Sequence, residues 1–95
     1  MNMPFIGTYR TESGRYYFRW LFEEQSDDEV RIYILHQPPY RGRDEGAHET
    51  HRYGLGSGRP YICYEPPPDN LTDAIEVAKA WAERTEEYIE WGTPF

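Results

Sequence analysis

A chain of 95 residues has room for one small domain, residues 1 to 95, and Leu, Ile, Val and Phe together supply only 16 of them, a composition close to disorder. Nine Tyr and three Trp offset that shortage, because each buried ring removes about 150–250 Å² from water, so a core built from rings is expected. A net charge of −7 argues against nucleic acid or an anionic membrane as the main ligand, and the composition excludes a coiled coil, a repeat array and a multidomain enzyme.

In chain order, Phe5 to Arg10 reads as a first strand, closed by the turn chemistry of Thr11 to Gly14. Arg15 to Glu24 carries the strongest strand pattern. Tyr16, Phe18, Trp20 and Phe22 fall on one face at period two, and Arg15, Tyr17, Arg19 and Glu23 on the other. Glu29 to His36 is the third strand, with Val30, Ile32, Ile34 and His36 predicted on one face and Arg31, Tyr33 and Leu35 on the other. Pro38 and Pro39 end it. Tyr40 to Thr50 is polar, contains Gly42 and Gly46, and shows no periodicity, so it reads as a mobile loop. His51 to Leu55 is a candidate short extended piece, and Tyr61 to Glu65 a fourth strand before the stiff Pro66 to Pro68 run.

The C-terminal helix is announced at both ends. Asn70 is a plausible N-cap with Asp73 three residues on, and Gly92 followed by Pro94 is the expected stop. Between them Leu71, Ala74, Ile75, Ala78, Trp81, Ala82, Tyr88 and Ile89 form one apolar stripe. The predicted fold is a two-layer α+β domain: a four-stranded, mostly antiparallel meander sheet packed by one C-terminal α-helix.

The single cysteine, Cys63, permits no intrachain disulfide and favours a reducing compartment. Met1 to Thr8 lacks the pattern of a signal peptide, and no apolar run approaches the roughly 20 residues of a membrane span. A cytoplasmic protein without a membrane anchor is expected. His48-Glu49-Thr50-His51 lacks the four-residue histidine spacing of a zinc protease. A looser site from His48, His51 and Cys63 is outweighed by a solvated histidine pair, so no metal is expected. Gly54 to Gly58 is followed by Arg59-Pro60 rather than a helix, which makes it a connection and not a phosphate loop; no cofactor is implied.

Two candidate sites remain. Tyr17, Arg19, Arg31 and Tyr33, with Arg15 and Tyr64 nearby, would share the open face of the sheet, and Tyr and Arg dominate protein–protein hot spots. Cys63, just before a proline-rich bend with His51 upstream, is either a small buried hydrophobe or an exposed nucleophile. The acidic helix tail of Glu83, Glu86, Glu87 and Glu90 is either a docking surface for a basic partner or a solvated helix face.

The order His51-Arg52-Tyr53, Ile62-Cys63-Tyr64-Glu65-Pro66, then a helix with Trp81, Tyr88, Trp91 and Gly92, resembles the second half of bacterial ubiquitin-conjugating-enzyme-like proteins. Pro38-Pro39 after the third strand is similar to that family's proline pair. The resemblance implies Cys63 as a thioester nucleophile and His51 as the organiser of its loop. The family's flanking helices and its His-Pro-Asn turn are absent, since Arg52 and Tyr53 follow His51. The expected function is therefore a small intracellular binding module acting on another protein, with no complete catalytic site. The alternative is a minimal thioester carrier using Cys63.

Overall fold

Phe18, Trp20 and Phe22, spaced at two residues, are all buried and point to one side of the sheet, where the fold builds its core. A computed structural model describes residues 4–95, so Met1 to Met3 of the segment examined for a signal peptide lie outside the described residues. Strands β1 (Phe5–Arg10), β2 (Tyr17–Glu24) and β3 (Val30–His36) form an antiparallel meander. Helix α1 (Ala47–Thr50) leads to β4 (Arg52–Tyr53), and β5 (Tyr61–Ile62) returns against β3. The sheet order is β1-β2-β3-β5-β4, five strands rather than four. The extra strand lies within the short extended piece expected at His51 to Leu55. Two residues are too few to show an alternation.

Helix α2 (Leu71–Trp91) covers one face of the sheet. The Asn70 side chain accepts a hydrogen bond from the Asp73 amide at 2.8 Å, which satisfies one of the orphan donors of the first turn. At the far end Gly92, at φ 71°, donates to the Tyr88 carbonyl. Ala74, Ala78 and Ala82, at four-residue steps, are fully buried in the same cluster as the rings of β2. Large rings rising from the sheet leave room for small residues at these three steps, while Trp81 of the same stripe meets Phe18 edge-on at 5.6 Å.

The β2–β3 pairing carries a bulge. Arg19 pairs with His36 and Trp20 with Ile34, which leaves Leu35 as the extra residue. The bulge corrects the expected facing of His36. Instead of joining Val30, Ile32 and Ile34 in the core, its ring is exposed and lies 5.2 Å from Tyr17 on the open side.

The stretch expected to be a structureless loop is packed and partly helical. Arg52 is buried. It donates from Nε to Thr50 Oγ1 at 2.8 Å, from Nη1 to Gln37 Oε1 at 3.2 Å, and from Nη2 to the Glu45 carbonyl at 2.9 Å. Its guanidinium lies 4.9 Å from the centre of the buried Tyr40 ring. The Trp81 indole N–H donates to the Thr50 carbonyl at 3.1 Å, and the Tyr88 hydroxyl to the Asp44 carbonyl at 2.7 Å, which tie this segment to α2. Such side-chain to backbone bonds have no periodicity, so composition alone makes the segment look free.

Candidate functional site

The side of the sheet away from α2 carries one continuous row. Ile6 pairs with Leu21, Leu21 with Tyr33, Tyr33 with Tyr61, and Tyr61 with Tyr53, so five apolar or aromatic side chains cross all five strands on one face. Ile6 and Tyr53 are exposed, and Leu21 and Tyr61 half-buried. Arg10, Arg19 and Arg31 share the face by the same register, and Arg59 leans over it from the loop before β5. Glu23 is the one acid that these described strands place there.

Of the residues predicted for this surface, Tyr17, Arg19, Arg31 and Tyr33 all lie on it, but Tyr33 is not offered to a partner. It is only 8% exposed, because Arg59 sits 4.2 Å over its ring and Tyr61 meets it edge-on at 5.7 Å. Arg31 is likewise stacked on Tyr61, 4.3 Å from the ring centre. Arg15 is elsewhere, ion-paired with Glu90 at 3.2 Å. Tyr64 is exposed at the rim beyond β5. Sequence reading missed Ile6, Leu21, Tyr53, Tyr61 and Arg59. Only the strand register brings them into line, and no single-strand pattern contains it. At the end of the row, Arg31, Tyr53, Tyr61, Glu65 and Pro67 line a recess of about 330 Å³.

The acidic helix tail is largely committed inside the protein. Glu83 accepts from the Tyr9 hydroxyl at 2.5 Å and from the Glu12 amide at 3.0 Å. Glu86 accepts from the Ser13 hydroxyl at 2.9 Å. Glu90 accepts from the Tyr16 hydroxyl and pairs with Arg15 and Arg41. These carboxylates dock the turn between β1 and β2 onto α2. The hydrogen bond from Tyr16 is the leading cause that holds the Glu90 carboxyl below its usual range.

Cys63 and His51 do come together. The Cys63 amide donates to the His51 carbonyl at 2.9 Å, and both residues line a pocket of about 520 Å³ between the end of β5 and α2. Cys63 is half-buried rather than part of the core. His51 caps α1 in the left-handed region, at φ 51°, and its ring stacks on Phe95 with centres 4.7 Å apart. The Tyr53 phenol is pushed up to about 12, first by hydrogen bonding with Cys63 and then by the charges of Cys63 and Glu65. Its hydroxyl reaches Glu65 Oε2 at 3.5 Å. His48 does not join them: among the described residues no group of three or more His, Cys, Asp or Glu side chains is placed to hold a metal ion.

No helix among the described residues is long and apolar enough to cross a membrane. Comparison with family models, with curated proteins and with solved structures finds no match.

Proposed function

We propose that this protein is a binding module, working inside the cell, that engages an acidic protein partner through the open face of its sheet. The observation that carries this reading is the five-strand row Ile6–Leu21–Tyr33–Tyr61–Tyr53, left without a helix over it and flanked by four arginines. Contiguous apolar surface rimmed by charge marks interaction sites. In a chain of net charge −7, the same face holds Arg10, Arg19, Arg31 and Arg59 with Glu23 among them and Glu29 and Glu65 at the recess, so arginine still outnumbers acid there, which favours a partner segment that is apolar and acidic. The burial of Tyr33 under Arg59, and the stacking of Arg31 on Tyr61, speak against RNA. Base recognition needs free ring faces, and two of these rings are already covered.

A direct test uses a fluorescein-labelled peptide of about twelve residues, half of them Glu and the rest Phe or Leu, followed by anisotropy. The expected result is saturable binding that weakens with salt and falls at least about tenfold in Leu21→Asp with unchanged circular dichroism, and falls likewise in Tyr53→Ala at an exposed position. Tighter binding of an oligouridylate of about ten nucleotides would overturn the reading, as would an unchanged affinity in Leu21→Asp.

The thioester-carrier reading, drawn from the likeness to ubiquitin-conjugating proteins, is supported by the shared pocket of His51 and Cys63. It ranks second. The Cys63 amide is spent on the His51 carbonyl, so it is not free to stabilise an oxyanion at that sulfur.

A further inference from the structure

The pocket beside Cys63 adjoins the recess at the end of the open-face row, sharing Ile62, Tyr64 and Glu65 with it, but α2 gives it a wall of its own character. Val77, Ala80, Trp81 and Arg84 stand at helical steps on one side of α2 and form one wall. Ile62 of β5 and Phe95 close the apolar part. A volume of about 520 Å³ lies in the range of small-molecule sites, which are mostly apolar with a few placed polar groups. The floor is fixed, since Ile62 and Trp81 are buried in the core. Trp81 spends its only polar atom on the Thr50 carbonyl, so it offers the pocket ring carbon alone.

Arg84 has no internal use. Arg15 and Arg41 pair with Glu90, Arg43 caps the end of α2, Arg52 is buried in its network, and Arg31 and Arg59 stack on rings. Among the described residues Arg84 makes no hydrogen bond, ion pair or ring contact, a property it shares only with Arg19 on the open sheet face. The one acidic side chain in the lining, Glu65, is drawn across the strand end to the Tyr53 hydroxyl. An unpaired guanidinium beside aromatic and aliphatic walls complements a single carboxylate on an aromatic body. His51 occupies the left-handed region at the mouth, where glycine would be easier, and this costs about 1–2 kcal/mol. The position thereby sets an imidazole on Phe95 at the edge of the pocket.

We infer that this pocket binds a small arylalkyl monocarboxylate, its ring against Trp81 and Phe95 and its carboxylate on Arg84. The test uses 4-phenylbutyrate, 4-phenylbutanol and 4-phenylbutylamine, which share one body and differ in the head group. Cys63 lines the pocket, so its rate of alkylation by iodoacetamide reports occupancy. Methyl shifts of Ile62 and Val77 give the same titration without the thiol. The acid is expected to slow alkylation and shift both methyls with a midpoint below about 1 mM, as a ligand of this size allows. The alcohol should need at least about fivefold more, and the amine should not bind. Arg84→Gln, at an exposed position, should weaken the acid about tenfold or more and leave the alcohol unchanged. Equal binding of acid and alcohol, no effect of Arg84→Gln, or no shift with the acid would each overturn the inference. Tighter binding of an acetylated tripeptide ending in a Phe carboxylate would assign the pocket to peptide termini and overturn the small-molecule assignment.

Discussion

Tyr9 and Tyr16 show how single residues join the two layers. Both phenols donate to carboxylates on α2, so both must stay protonated to hold the β1–β2 turn in place. Tyr9 is pushed up to about 12, first by its hydrogen bond to Glu83 and then by burial. A phenol whose folded pKa is raised gives stability that is complete below its unfolded value, near 10, and is lost as the pH climbs through about 12. The thermal midpoint should therefore fall between about pH 9.5 and pH 11.5, and Tyr9→Phe should start lower and fall less steeply over that window. Parallel curves for the two proteins would show that the Tyr9–Glu83 bond carries none of the alkaline dependence. Glu90 acts in the opposite direction. Its lowered pKa gives stability above the unfolded carboxyl value that is lost in acid. None of these pairs is legible in the sequence, because the partners lie 74 positions apart and the carboxylates look like an ordinary solvated helix face.

The longer elements could be read from the sequence because each carries its own local signal. β1 begins and ends where its residues predict, and α2 runs from its Asn70 cap to Gly92 as the capping chemistry dictates. The alternation in β2 identified Phe18, Trp20 and Phe22 as core, and the helix stripe identified Ala74, Ala78, Trp81 and Ala82. What failed was what one strand cannot encode. The bulge at Leu35 turns His36 outward, and the two-residue strands β4 and β5 take their identity only from pairing. Fully buried Ala78 lies in the same cluster as the rings of β2. Ala78→Leu should cost about 1–3 kcal/mol in urea unfolding, because added methylenes there have no space. An unchanged midpoint and slope would mean that the layers are less tightly packed than the stripe implies.

At the scale of the whole molecule, the α2 carboxylates and the arginines of the open face lie on different sides of the sheet. Glu83, Glu86 and Glu90 of α2 are tied to the β1–β2 turn, while Arg10, Arg19, Arg31 and Arg59 gather on the uncovered sheet face around the row from Ile6 to Tyr53. Net charge alone pointed to an acidic surface and hid this division. Tyr17, Arg19, Arg31 and Tyr33 were legible as part of the face because β2 and β3 alternate. The row that organises it was not, since it needs the register of all five strands. The site beside Cys63 was half legible: the sequence places a thiol before a bend, but only the fold brings His51, Trp81 and Arg84 around it. The most direct test of the central claim is the map of backbone amide shifts in the ¹⁵N-labelled protein on addition of the acidic, Phe- and Leu-containing peptide. The largest changes should fall on Ile6, Leu21, Tyr53 and Tyr61 and their strand neighbours. Changes confined to the outer face of α2, around Glu76 and Glu87, would contradict that claim.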